Sequence, residues 1–249
     1  MKLIIDIGNT RIKIAVFEGN KLLDVRKFTD ISPEKVNEQI IEYNNEFSQF
    51  RPIESSIISA VREYNNEIKN ILIERSHFME LHTGLQLPVK LIYKTPLTLG
   101  KDRIAIASAI AVIHPGHDLL AIDTGTCITY NFVNKNKEYL GGGISPGIMM
   151  RFKALNTFTD KLPFVTRHDE AELIGDTTEN SIISGVMNGV ASEVDGIIER
   201  YKNRYPDLKI FLTGGDTEYF AKNLKNNIFA NPNLVLEGLN NILDLNVET

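Results

Sequence analysis

In a chain of 249 residues with 43% hydrophobic and 24% charged side chains, the balance is that of a folded globular protein and excludes a fibrous or disordered one. The 27 basic and 32 acidic residues leave a net charge of −5, without the positive field that draws proteins to phosphate backbones, so nucleic acid is not an expected partner. Cys127 is the only cysteine, which excludes an intrachain disulfide, a thiolate zinc cage and a redox pair, and fits a reducing compartment.

The length allows one large domain or two of about 120 residues. Asp6 interrupts the apolar start before a signal-peptide core could form, and no later apolar run reaches membrane-spanning length, so a cytoplasmic protein without a membrane partner is expected. Residues 2–17 alternate apolar and polar positions around Gly8-Asn9, which predicts a β-hairpin. Residues 21–28 predict a third strand. Ser32-Pro33 then supplies an N-cap and a first-turn proline for a helix through Val36, Ile40, Ile41 and Phe47. The pattern continues with a buried strand over 54–61, a short helix over 66–74, a strand over 88–93 and an Ala/Ile-rich helix over 102–113.

The run from Leu119 to Val133 restarts the opening pattern. Leu-Ala-Ile-Asp-Thr-Gly-Thr echoes Leu-Ile-Ile-Asp-Ile-Gly-Asn, with Asp123 matching Asp6 at an offset of 117 residues, close to half the chain. A duplicated fold follows, with a boundary near His114-Pro115-Gly116 and domains of 1–116 and 117–249. Beyond it come a strand near 137–142, the turn-rich run Gly141 to Gly147, and a long helix over 179–201. Ile182, Ile183, Val186, Val190, Val194, Ile197 and Ile198 share one face of that helix, a stripe that suits a core or a dimer interface. A strand over 209–213, a Gly214-Gly215 turn, a helix from Asp216, a surface connection over 223–233 and a short helix over 239–243 complete the chain.

Three motifs carry chemistry. Asp6-Ile7-Gly8-Asn9-Thr10-Arg11-Ile12-Lys13 puts a carboxylate at a strand end, a glycine in the turn, and amide, hydroxyl and ammonium donors beyond it. Backbone amides of such a turn can cradle phosphate, with Asp6 holding a hydrated Mg²⁺ and Lys13 neutralising oxygens, although a hairpin capped by its own side chains reads the same way. Asp123-Thr-Gly-Thr126 repeats the geometry. Two acidic phosphate loops half a chain apart are what a nucleotide cleft between duplicated domains needs. The third motif, Thr213-Gly214-Gly215-Asp216, lies between a strand and a helix, where absent side chains let a ribose or flat ring approach the backbone. No Gly-x-x-x-x-Gly-Lys-Ser/Thr loop occurs, which removes the P-loop kinases.

Phosphate loop, phosphate loop and then Gly-Gly resembles the superfamily of acetate and sugar kinases, hsp70 and actin, which implies an α/β fold of two duplicated ribonuclease H-like domains with a cleft between them. Adding Gly100-Lys-Asp-Arg103 and Gly141-Gly-Gly-Ile-Ser-Pro-Gly147, nearly the whole chain is similar to the type III pantothenate kinases. Cys127 stands where that family commonly has a smaller residue. The resemblance implies ATP-dependent phosphorylation of pantothenate to 4'-phosphopantothenate, the first step of coenzyme A synthesis. It places ATP on residues 6–13, Thr126, Gly214 and Gly215, and pantothenate on Tyr93, Gly100, Lys101, Asp102, Arg103 and Thr178. Asp102 matches the residue that takes the proton of the attacking hydroxyl, while its place at the start of a helix also suits a simple N-terminal cap. Asp123 matches a ligand for K⁺ or NH₄⁺, with Asp6 left to Mg²⁺ through water, and a homodimer is implied. Two other readings remain open: another small-molecule kinase of the superfamily, whose loops would be shared, and a nucleotide-binding transcriptional accessory factor. The acidic balance weighs against the second.

Overall fold

A computed structural model describes residues 1–247 as two compact units. The first unit comprises residues 1–115, a short return over 137–140, and the chain from Asn233 onward; the second comprises 116–136 and 141–232.

In the first unit, β1 (Lys2–Ile7), β2 (Ile12–Glu18) and β3 (Lys21–Phe28) form an antiparallel meander, followed by α1 (Pro33–Glu46), β4 (Ser55–Ala60), α2 (Asn66–Arg75) and β5 (His77–Glu80). The sheet order is β3-β2-β1-β4-β5, with β4 parallel to β1 and β5 parallel to β4. Ser32 accepts a hydrogen bond from the Lys35 amide, so the expected N-cap opens α1. Alternate strand residues face opposite ways. Leu3, Ile5, Ile7 and Ile58 therefore meet Val36, Ile40 and Tyr43 of α1 and Ile68 and Leu72 of α2 in one core.

Beyond β5 come β6 (Lys90–Leu91), a 3₁₀ turn over Pro96–Thr98, and α3 (Lys101–Ile113). β5 has no counterpart in the sequence pattern, because four residues do not establish a period. The strand expected over 88–93 shrinks to two residues, which pair only with Glu138 and Tyr139. The closing helix is α7 (Leu234–Val247), longer than the expected 239–243. Gly238 sits at a close crossing: a Cβ there would stand 1.9 Å from the Ala105 carbonyl oxygen of α3. The alanines of α3 and Gly238 thus let the two helices pack backbone to backbone, and both lie against the sheet.

The second unit begins with β7 (Leu119–Thr124) and β8 (Cys127–Val133), an antiparallel pair in which Asp123 faces Thr129. Next are β9 (Glu138–Pro146), whose first residues belong to the first unit, α4 (Ile148–Thr157), α5 (Thr178–Arg204), β10 (Lys209–Thr213), α6 (Thr217–Asn223) and the two-residue β11 (Phe229–Ala230). The strand order is β11-β10-β7-β8-β9, with β10 parallel to β7. Each unit therefore carries the same kernel, an antiparallel pair whose first strand has a parallel neighbour on its other side, and the aspartate is the penultimate residue of that first strand in both. The duplicated ribonuclease H-like fold is realised in this kernel.

Two expectations change. The run from Gly141, read as turns, is extended strand through Pro146; its glycines serve close approach, since a Cβ on Gly142 would stand 1.8 Å from the Tyr130 carbonyl oxygen. The stripe on α5 is spent on the core. Ile182, Val186, Val190 and Val194 are buried among Ile122, Phe152, Leu212 and Phe220, with Ile197 partly buried beside them.

Candidate active site

In the first unit, the β1–β2 hairpin places Asp6 directly across from Lys13 and Ile7 across from Ile12. The Gly8 amide donates to the Arg11 carbonyl at 3.0 Å and closes the turn, while Asn9, Thr10 and Arg11 are exposed at its tip. A Cβ on Gly8 would meet that same carbonyl oxygen at 2.9 Å, so the tight turn and the glycine require each other. The result is a loop of exposed amides and side-chain donors with one half-buried carboxylate and one ammonium at its base.

The second feature of this unit is the start of α3. Gly100 holds the N-cap position and makes no side-chain cap bond, so Asp102 lies at the second helical position. The Asp102 carboxylate accepts from the Arg103 amide at 2.8 Å. It also occupies the space beside Gly100, where a Cβ would stand 2.5 Å from Asp102 Oδ1. Burial pushes the Asp102 carboxyl above its usual value, and the Arg103 amide and charge offset this only in part. Arg103 is itself buried, with its guanidinium 5.9 Å from the centre of the Tyr139 ring, and that ring lies 6.0 Å from the ring of Tyr93. Lys101 pairs with Glu80 at 2.9 Å. Burial alone would raise the Glu80 carboxyl, but Lys101 and then Lys69 outweigh it and hold Glu80 below the usual range. The unit thus assembles Tyr93, Gly100, Lys101, Asp102 and Arg103 around one helix start.

In the second unit, Asp123, next to last in β7, lies beside Thr213 of β10. The buried Thr124 hydroxyl donates to the Thr213 carbonyl at 2.8 Å, and the Asp216 amide donates to the Thr124 carbonyl at 2.9 Å. The Gly214 turn is therefore laced to the aspartate loop. Gly214 has φ +102, and a Cβ on it would stand 2.4 Å from Asp123 Oδ1, which makes glycine obligatory on two counts. The end of the β9 glycine run docks on the same loop, for the Gly147 amide donates to the Thr126 carbonyl at 3.1 Å. Asp123, Thr126, Gly214 and Gly215 are thus gathered. Thr178, the first residue of α5, lines a cavity of about 990 Å³ together with Arg151, Leu155, Thr177, Ser181 and Ile182.

The family model for type III pantothenate kinases matches residues 2–200. The chain belongs to the type III pantothenate kinase family. It is 45% identical over 247 residues to the type III pantothenate kinase of Christiangramia forsetii, covering 99% of each chain, and 44% identical over 248 residues to that of Phocaeicola vulgatus, again covering 99% of each. Solved structures show the fold alone. A Campylobacter jejuni chain described as a Baf family transcriptional activator superposes with a TM-score of 0.62 at 21% identity, covering 99% of this chain and 100% of that one. A ROK family glucokinase of Streptomyces griseus superposes at 0.52 and 13% identity, covering 100% and 99%.

For a kinase of this family the cations deserve a test against the side chains. Among the described residues, no three His, Cys, Asp or Glu side chains cluster as a metal cage. A cation at Asp6 or Asp123 would complete its shell with phosphate, carbonyl and water oxygens, which suits Mg²⁺ and K⁺ and does not suit zinc. Gly214 packs closely against both Asp123 Oδ1 and the Thr124 carbonyl oxygen, so carboxylate and carbonyl oxygens lie side by side there, the donor types such a cation takes. Glu80 and Arg167 escape a reading of the sequence because their partners, Lys101 and Asp216, are 21 and 49 residues away.

Proposed function

We propose that this protein transfers the γ-phosphoryl group of ATP to the hydroxyl of pantothenate, forming 4'-phosphopantothenate in the first step of coenzyme A synthesis. The observation that carries the reading is the 45% identity across 99% of both chains with an enzyme of that name. Phosphoryl transfer asks little covalent chemistry of the protein, which has to position the acceptor hydroxyl and neutralise developing charge. Asp102 takes the hydroxyl proton. Its burial supports the role, since a carboxylate raised above its usual value is a stronger base.

Tyr93, Gly100, Lys101, Arg103 and Thr178 bind pantothenate in this proposal, and residues 6–13, Thr126, Gly214 and Gly215 bind ATP. Lys13 and the turn amides neutralise phosphate oxygens. Asp6 would hold, through water, the Mg²⁺ that enters with ATP, and Asp123 would hold K⁺ or NH₄⁺, each of which would supply positive charge near the phosphates. The duplicated halves are 1–116 and 117–249, with α7 encoded in the second and packed in the first unit. The working protein is a cytoplasmic homodimer that engages neither nucleic acid nor membrane; no described helix is long and apolar enough to cross one.

A coupled assay of ADP release tests this reading, with ATP, Mg²⁺, K⁺ and a panel of hydroxyl acceptors. ADP release that depends on pantothenate and on no other acceptor is the expected result. Turnover with a sugar or acetate and none with pantothenate would overturn it.

A further inference from the structure

Between α4 and α5, residues 158–177 form an irregular segment. Val165 fixes it, buried in the core of the second unit. Two residues on, Arg167 reaches out of this segment to the carboxylate of Asp216, the residue that follows the Gly214-Gly215 turn and caps α6. Its Nε also pairs with Asp169 at 2.5 Å, and its guanidinium lies 5.2 Å from the centre of the Tyr219 ring. Tyr219 is anchored in turn, with its hydroxyl donating to the Met187 carbonyl at 2.9 Å. Arg167 is held on three sides, and what it holds is Asp216.

Asp216 has no side-chain cap bond to its own helix. Its amide donates to Thr124 of the aspartate strand, and the Thr217 hydroxyl donates to the Gly214 carbonyl at 2.8 Å. The Gly-Gly turn is thus a short hinge pinned at both ends, and the pin at its far end is the ion pair from a segment about 50 residues earlier in the chain. A planar guanidinium can bridge two carboxylates and lie on a ring at once, which a lysine ammonium cannot.

We propose that Arg167 is a positioning residue for the nucleotide: by fixing Asp216 it holds the Gly214-Gly215 turn in the conformation that receives adenosine, and so sets the affinity for ATP without touching the reaction. This rests on the assignment of that turn to adenosine. Losing one charge-assisted hydrogen bond that orders a binding turn weakens binding by about tenfold. Arg167→Ala should therefore raise KM for ATP by about that factor, with kcat at saturating ATP and KM for pantothenate within about twofold of wild type. Arg167→Lys should recover only part of the loss.

Steady-state kinetics of Arg167→Ala, Arg167→Lys and Gly215→Phe test the proposal, each checked by thermal melting. A Cβ on Gly215 meets nothing within 4 Å, so a bulky side chain there starts into open space over the turn, and once melting shows the variant folded its KM for ATP reports on the adenosine assignment itself. If Gly215→Phe raises KM for ATP and Arg167→Ala does not, the role of Arg167 is refuted while the assignment stands. If Gly215→Phe leaves KM for ATP unchanged, the assignment fails and the proposal with it. A fall in kcat of Arg167→Ala with unchanged KM for ATP, or full recovery by lysine, would also overturn the proposal.

Discussion

Replacing Gly100 by alanine separates the geometry of the proposed base from the stability of its helix. Gly100 has φ −55 and ψ 133, which alanine adopts without strain. The new Cβ would stand 2.5 Å from Asp102 Oδ1, and that oxygen has to retreat by at least about 0.5 Å to reach even the closest contact real side chains show. The carboxylate, at the end of a flexible side chain, does so by stretching or at most giving up its 2.8 Å bond from the Arg103 amide. One such bond contributes about 0.5–1.5 kcal/mol, and losing a glycine from the unfolded chain returns about 0.4–1 kcal/mol, so stability changes by less than about 1 kcal/mol and the Tm by no more than about 4 °C. Catalysis is not so protected, because a misplacement of about 1 Å can cost 10²-fold. Gly100→Ala should therefore lower kcat by about 10- to 100-fold, with ATP affinity by calorimetry and the melting temperature both close to wild type. A variant with kcat within threefold of wild type would refute the dependence of turnover on the Asp102 position.

Asp102→Asn retains an oxygen for the Arg103 amide but cannot take a proton, so kcat should fall by at least about 100-fold, read in the same ADP-release assay. The sign of its stability effect is also fixed: a carboxyl raised by burial binds its proton more tightly when folded, so the ionised group costs stability above its raised value. The variant should melt higher than wild type at neutral pH and lose that advantage as pH falls toward the ordinary value of 3.8; a lower melting temperature at pH 7 would contradict this. Exchanging K⁺ for Na⁺ at constant ionic strength should slow the wild type, and Asp123→Ala should be slow in both salts; equal wild-type rates would end the cation role. Gly238→Ala forces a Cβ to within 1.9 Å of the Ala105 carbonyl oxygen, where only backbone can yield. It should destabilise by about 1–3 kcal/mol, a drop of several degrees in Tm, and an unchanged melting curve would show that the α3–α7 crossing is looser than described.

The two aspartate loops were legible because everything that defines them is local: an apolar strand, Asp-x-Gly, and a second strand of matching length. So was the repeat, since Asp6 and Asp123 occupy the same place in the same kernel. The capped start of α1, at Ser32, was legible for the same reason. Features decided by distant partners were not. The run from Gly141 read as turns, yet Gly142 uses its lack of a side chain against Tyr130 of the neighbouring strand, and Gly238 does so against Ala105, far away in sequence. The α5 stripe suited a core or an interface equally, and only the packing of Phe152 and Phe220 against it decides for the core. At the candidate site, motif order pointed to the residue types. That Gly100 holds the N-cap position, and that Asp102 two residues on is braced by Gly100 and the Arg103 amide, required the backbone.

The most direct measurement is the identity of the product. Purified protein incubated with ATP, Mg²⁺, K⁺ and pantothenate, and followed by mass spectrometry and phosphorus NMR, should yield pantothenate bearing one phosphoryl group on its primary hydroxyl, in step with ADP. Formation of ADP without phosphorylated pantothenate, or no ADP at all with a folded protein, would contradict the account.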